Sequence, residues 1–411
     1  MKQGILELLC LPETWEDYFK EKEEQGYWRK TEQEEWRTFL DTKEYLALAQ
    51  KVKTEGFCFS VPEKKLVNKS GSEKKRVVYS FSEAENRYLK VLTRLLLTRY
   101  DRCFVENCYS FRRGHGSRQA IGKLTHARDI GTMYCCKVDV SNYFNSIKTD
   151  YLLPMLRKIL EEEPELYLFF EAMLTVDMAR ENGIVVSEQR GAMAGTPVSA
   201  FFANVYLDEL DRYFAEQEIL YARYSDDIIF FAETEEKLAM FRKNAEERVM
   251  GLGLCLNEEK TRIYAPGEAW EFLGISYGKG KVDLSEATKR KLKGKIRRKA
   301  RALYRWKCKK KVSAEQTIKA MNRVFYRKLF ENPRHDEMTW TRWFFPLLTT
   351  DTGLKEIDAY MQEHIRYLGT GCFGKRNYRI TYEMLKEWGY KSLVHAYYEG
   401  KGLPGEKSRK R

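Results

Sequence analysis

Two neighbouring carboxylates, Asp226 and Asp227, stand between short apolar runs at 220–223 and 228–231. Runs this short and this rich in β-formers read as paired strands, which makes Tyr224-Ser225-Asp226-Asp227 the tip of a hairpin. An Asp pair in a surface turn is common by itself. The reading gains force upstream, where Lys137-Val138-Asp139-Val140-Ser141-Asn142-Tyr143-Phe144 forms a second apolar strand ending in a carboxylate. Three carboxylates delivered from separate strands suit a pair of Mg²⁺ ions, hard cations that take oxygen ligands.

The rest of the composition narrows the class. A chain of 411 residues exceeds what one core fills, so several lobes are expected. Its 43% hydrophobic and 14% aromatic content excludes wholesale disorder. The net charge of +13 is concentrated: residues 285–311 hold fourteen Lys/Arg against the single Glu286, whereas residues 1–56 are net acidic. A basic block of that density points to a polyanion, most simply a nucleic-acid backbone. Nine cysteines, an odd number without Cys-x-x-Cys spacing, fit a reducing cytoplasm better than a disulfide framework or zinc site. Neither a signal peptide nor a membrane span is expected.

Along the chain, 1–55 reads as a helical extension. Residues 56–80 read as a β-hairpin with a basic return strand, its first strand at 57–62 and its turn at 68–72. Helix is expected from Glu83 to Arg99. Mixed α and β follows from about 130, with helices near 149–161, 199–217 and 235–250 and a last strand pair at 271–277. Helices dominate from 285. There Leu292, Ile296, Ala300 and Leu303 form an apolar stripe on an otherwise basic helix. The tail after Gly402 reads as disordered.

Six segments, in order, resemble the reverse transcriptase family. They are Tyr109-Ser110-Phe111-Arg112-Arg113-Gly114; Asp139 to Phe144; Gly195-Thr196-Pro197-Val198-Ser199 running into Ala203-Asn204; Tyr224 to Asp227; Asn257 to Thr261; and Phe272-Leu273-Gly274. The resemblance spans roughly residues 55–340. It implies an α+β right-hand polymerase: fingers at 56–130, palm at 131–280, a basic helical thumb at 281–345, and helical additions at 1–55 and 346–400 before a disordered tail at 401–411. It also implies Asp139, Asp226 and Asp227 as catalytic residues, with Asp139 and Asp226 bridging two Mg²⁺ ions (Mn²⁺ as a substitute). The backbone carbonyl of Val140 is a further candidate ligand.

For the nucleotide, the family pattern places a sugar gate at Phe144, with a core aromatic in Tyr143-Phe144 as the less favoured reading. It places triphosphate-binding cations at Lys74 and Arg76, and a proton donor to pyrophosphate at Lys260. Arg112 and Arg113 are candidate template or nucleotide contacts. Lys289, Lys293, Arg297, Arg298 and Arg301 are placed to track template–primer phosphates. Ala194 stands where many members carry glutamine beside the incoming nucleotide. Intron-type, retron and diversity-generating signatures are missing, and the remainder resembles bacterial stand-alone enzymes of abortive infection and phage defence. The expected activity is RNA-directed DNA synthesis from deoxynucleotides on a dedicated non-coding RNA, from a DNA, RNA or protein primer, with homo-oligomerisation left open. Template-independent or protein-primed synthesis, and an intron-derived polymerase or maturase, are the alternatives.

Overall fold

The computed structural model describes residues 3–25, 28, 30–54, 57–68, 75–330 and 339–401. Two compact units divide the chain, one running up to Glu268 and the other beginning at Ala269. Among the described residues the strands are β1 (Glu63–Asn68), β2 (Lys75–Ser80), β3 (Tyr134–Asp139), β4 (Met178–Glu181), β5 (Ile184–Ser187), β6 (Tyr221–Tyr224), β7 (Asp227–Ala232), β8 (Arg262–Tyr264), β9 (Trp270–Phe272), β10 (Ile275–Gly278) and β11 (Lys281–Leu284).

The first unit holds two four-stranded sheets. One has the order β6-β7-β3-β8, all neighbours antiparallel. Its central strand β7 is buried from Ile228 to Ala232, so it reads as a continuous apolar run rather than an alternating one. The helix Ser199–Tyr206 is buried at seven of its eight positions, and the helix Glu235–Gly251 packs against β3 and β7. The single helix expected over 199–217 is two, Ser199–Tyr206 and Asp208–Glu216, broken at Leu207 (φ −105°, ψ 11°).

The second sheet of this unit has the order β2-β1-β4-β5. Its first hairpin begins at Glu63, not at 57. Phe59 leaves the ladder and enters an aromatic cluster with Phe81 and Phe169 at 5.4 and 5.1 Å. The β4–β5 hairpin was not expected, although Asn182-Gly183 supplies the two positive-φ residues (52° and 85°) that a tight hairpin turn requires.

The N-terminal helices belong to the same unit. Trp15 is fully buried and packs on Tyr45 at 4.6 Å and on Tyr88 of the helix Glu83–Arg99 at 6.0 Å. That helix starts at a capping box between Ser82 and Glu85, whose carboxylate also takes the Ser60 N–H at 2.7 Å.

The second unit begins with the sheet β11-β10-β9, three strands where a pair assigned to the palm was expected. Its helices follow. Leu292, Ile296, Ala300 and Leu303 of the helix Glu286–Lys310 are its buried residues, packed against the helices Ala314–Leu329 and Thr352–Thr370. The segments drawn beforehand as separate, 281–345 and 346–400, therefore share one body. The expected tail lies almost wholly outside the described residues. Among those residues no helix is long and apolar enough to cross a membrane.

Candidate active site

Backbone register sets the site. β6 and β7 are joined by the two-residue turn Ser225–Asp226, with Tyr224 opposite Asp227. Ser225 takes a φ of 60°, the left-handed value such a turn demands. β3 lies on the other side of β7 and ends with Asp139 opposite Asp227. The Val140 N–H then donates to the Asp226 carbonyl at 3.1 Å, and the Asn257 N–H donates to the Asp139 carbonyl at 2.7 Å. Three carboxylates from two adjacent strands and the turn beside them thus reach one sheet edge.

Charge at that edge is only partly balanced. Burial raises the Asp226 carboxyl above its ordinary range, and the neighbouring Asp139 and Asp227 raise it further. Lys260 Nζ donates to both carboxylate oxygens of Asp139, one at 2.7 Å. Lys137 Nζ lies 3.3 Å from Asp227. Among the described residues no three His, Cys, Asp or Glu side chains are closed as a ready metal cage. The donor set is nonetheless all oxygen and acidic, the chemistry a hard divalent ion takes. Seating an ion on Asp139 requires Lys260 to leave it. With 57% of its side chain exposed, Lys260 is free to do so.

Beneath the turn the arrangement is sealed. Arg223 and Asp211 form a fully buried ion pair, Nε donating to both Asp211 oxygens at 2.8 and 3.0 Å, and Tyr221 donates to the same carboxylate at 2.7 Å. Arg223 also donates to the Ser225 carbonyl at 3.3 Å, fixing the turn from below. Ser110, fully buried, accepts the Ser225 N–H, and the Asn204 amide donates to the Ser110 carbonyl at 2.8 Å. The Tyr109 N–H donates to the Arg223 carbonyl at 2.9 Å, so the 107–110 segment runs beside β6 as a further edge. Ser110 and Asn204, members of two of the family-like segments, hold the turn.

Around the carboxylates, Phe144 is half-buried, 5.5 Å from the Tyr143 ring and 6.5 Å from Phe111. Its backbone is clamped. The Ala192 N–H donates to the Phe144 carbonyl at 2.8 Å, and a Cβ at Gly191 (φ 56°) would lie 2.6 Å from that oxygen. Asn145 bridges three segments: it donates to the Val77 carbonyl of β2 at 3.1 Å and accepts from the Ala194 N–H at 3.1 Å. Ala194 in turn accepts from the Tyr79 N–H at 2.7 Å. Asn145 is not singled out by the sequence, because an asparagine a few residues past the strand that ends at Asp139 carries no pattern that would mark it.

Other expected contacts separate. Arg112 is a correction. All five of its N–H groups are spent inside the protein, on Asp101 (2.7 and 3.1 Å to the carboxylate, 3.2 Å to the carbonyl), Val105 and Cys108, so none remains for a phosphate. Its neighbour Arg113 points outward, its side chain 84% exposed, with Glu21 at 3.7 Å. Arg76 is exposed on β2, and Lys74 lies outside the described residues.

On the basic helix, Lys289 and Lys293 both reach Glu356, at 2.6 and 2.5 Å, so each already has a carboxylate partner. Arg297, Arg298 and Arg301 are exposed and, among the described residues, form no ion pair. Lys291, Lys295 and Arg305 share that exposure and were passed over.

A carboxylate-tipped hairpin backed by a third strand, one buried helix and a second helix packed on the sheet is the palm of a nucleic-acid polymerase. Residues 67–277 match the family described as reverse transcriptase (RNA-dependent DNA polymerase), and the chain belongs to that family. Among curated proteins it is similar to the retron Ec83 reverse transcriptase of Escherichia coli, 25% identical over 138 residues that cover 31% of this chain and 43% of the relative. The chain is thus aligned with less than half the length of that relative. Among solved structures it is similar to apo telomerase from Candida tropicalis (11% identity, 85% of this chain and 64% of that one, TM-score 0.46). A telomerase from Candida albicans, in complex with a fragment of telomeric RNA, is also similar (11% identity, 89% and 71%, TM-score 0.41).

Proposed function

We propose that this chain is an RNA-directed DNA polymerase, joining deoxynucleotides to a primer 3′-hydroxyl with two Mg²⁺ ions held by Asp139, Asp226 and Asp227. The observation that carries the reading is the register of β3 on β7, which sets Asp139 opposite Asp227 with Asp226 one residue away in the turn. Bound there, paired divalent ions supply an activated 3′-hydroxyl and neutralise the departing pyrophosphate. The chain's own residues do the rest. Phe144 presses on C2′ of the incoming sugar and excludes a 2′-hydroxyl. Arg76 neutralises triphosphate oxygens. Lys260, once off Asp139, is the residue assigned here to give the leaving group a proton.

The biological setting we assign is bacterial phage defence with a dedicated non-coding RNA as template. The partial likeness to a retron reverse transcriptase supports it. One observation favours a second reading, synthesis without a template: Ala194 presents only a methyl group where a glutamine side chain would meet the nucleotide, and its backbone is fully engaged by Asn145 and Tyr79.

Sequencing the product decides between them. The protein is purified with its bound nucleic acid and supplied with Mg²⁺ and labelled deoxynucleotides. Product complementary to a bound RNA supports templated synthesis, and product matching no template supports the second reading. A preparation that binds RNA tightly and makes no DNA refutes both. Phe144→Ala should gain ribonucleotide incorporation, and an unchanged sugar preference removes the gate from Phe144.

A further inference from the structure

We propose that the second unit carries a stacking platform for an unpaired polynucleotide strand, built on Phe373 and flanked by Arg297, Arg301, Lys375 and Arg376. The proposal rests on the polymerase reading only for the kind of polymer expected.

The platform begins where the helix Thr352–Thr370 stops. Gly371 (φ 75°) turns the chain out of the helix and Gly374 (φ 103°) turns it again, values that favour glycine. The loop between is anchored. The buried Asn377 accepts from the Thr370 hydroxyl at 2.6 Å, and Arg366 Nε donates to the Ile380 carbonyl at 3.0 Å. The Phe373 ring is set against Tyr367 at 4.6 Å with the planes 5° apart, and Tyr367 backs onto Tyr304 at 4.8 Å. Phe373 nevertheless keeps 53% of its surface exposed, and Tyr378, five residues on, keeps 73%. Two large exposed aromatics on one short anchored loop are an unusual cost for a folded surface.

Cations surround them from two elements. Lys375, Arg376 and Arg379 are exposed on the loop itself. Arg297 and Arg301 come from the exposed side of the helix Glu286–Lys310. Their charges reach His364, whose ring is 5.4 Å from Phe373: burial holds that imidazole below its ordinary range and the two guanidiniums add to this, against the Tyr360 carbonyl and the Glu363 carboxylate, which pull it up. A ring with protein stacked on one side, on a loop whose exposed charges are all basic, matches a polyanion that offers free π-faces. An unpaired strand offers both; a duplex, its bases already stacked, offers only its phosphates.

The test is equilibrium binding of the full chain, without nucleotides or divalent ions, across a salt series. The probes are a short unstructured oligoribonucleotide, the same sequence in DNA, and its blunt duplex. Phe373→Ala should weaken single-strand binding roughly ten-fold or more, leave the salt slope and duplex binding unchanged, and be rescued by Phe373→Tyr. Arg297→Ala combined with Arg301→Ala should instead lower the salt slope by about 0.7 per lost contact. Tighter binding of the RNA strand identifies RNA as the ligand; equal or tighter binding of DNA identifies the product strand. Unchanged single-strand affinity in Phe373→Ala, or an equal loss on single strand and duplex, overturns the proposal. Because the assay needs no catalysis, an inactive protein can still pass it, and an active polymerase that fails it loses the platform alone.

Discussion

Two carboxylates on either side of the same hairpin are each paired to a cation, and the pairs differ in kind. Below the turn, Asp211 and Arg223 are both fully buried, with Tyr221 completing the carboxylate's partners. Above it, Asp139 is buried, but the lysine on it is more than half exposed. The lower pair has nowhere to go. The upper pair can be exchanged: Lys260 occupies oxygens that a divalent ion would want, and water can take over its ammonium when it leaves. Burial of the cation, not the presence of a salt bridge, separates the carboxylate that holds the fold from the carboxylate we propose for the chemistry.

The sharpest way to break this distinction is Asp226→Asn. On the proposed two-metal reading, loss of that carboxylate oxygen should cut nucleotide incorporation by about 10⁴-fold, several kcal/mol of barrier. Stability should be unchanged or higher, because a buried carboxylate repelled by Asp139 and Asp227 is removed. Primer extension and chemical denaturation of one preparation check both halves. A destabilised Asp226→Asn would mean that the upper site is also structural.

Arg223→Met should do the reverse. It leaves Asp211 charged in a fully buried site with the Tyr221 hydroxyl as its remaining donor, and breaking such a pair costs about 3–5 kcal/mol. Joint replacement, Asp211→Leu with Arg223→Met, should regain most of that stability, since the penalty lies in the orphaned charge. Activity should recover less, because the bond from Arg223 to the Ser225 carbonyl is gone in both. A denaturation series on the two single variants and the double one measures the coupling.

That lower pair also marks where sequence stopped being legible. Asp139 and the Asp226-Asp227 tip could be read because each ends an apolar run, and a strand's end fixes where its last side chain goes. The stripe Leu292, Ile296, Ala300, Leu303 could be read because helical periodicity alone determines a face. Periodicity does not name partners. Lys289 and Lys293 turn to Glu356, more than sixty residues downstream, and nothing local announces it. Arg112 and Arg113 are adjacent in sequence and opposite in fate. Phe111 takes a φ of 57° just before them, and one arginine goes in while the other goes out. The Asn182-Gly183 turn, by contrast, is visible in the sequence as a hairpin signal.

Lys260→Ala tests the exchangeable pair from the cation's side. An ion pair whose lysine is this exposed contributes at most about 1 kcal/mol, so stability should hardly move. Incorporation should fall about 100-fold if the lysine serves as proton donor, the lower end for general acid catalysis. The half-saturating Mg²⁺ concentration should fall as well, because an internal competitor for Asp139 has been removed. A Mg²⁺ titration of primer extension reads both. Unchanged maximal rate would leave Lys260 a placeholder and nothing more.

The smallest expected effect lies in a third pair, Asp101 with Arg112, intermediate between the other two. Arg112 is buried, but the Asp101 side chain is 31% exposed. The hydrogen bonds from Arg112 hold the Asp101 carboxyl below its ordinary value of 3.8. A carboxylate whose folded value is depressed contributes stability above its unfolded value and loses it as pH falls through the folded one. Asp101→Asn should therefore cost about 1 kcal/mol near neutrality, with the gap to wild type closing below pH 3.8. Denaturation midpoints of both proteins from neutral to acidic pH follow that gap. A gap that stays constant into acid would show that Asp101 holds Arg112 by geometry rather than by charge, and exposure of one partner would then no longer predict how much of a pair's strength is electrostatic.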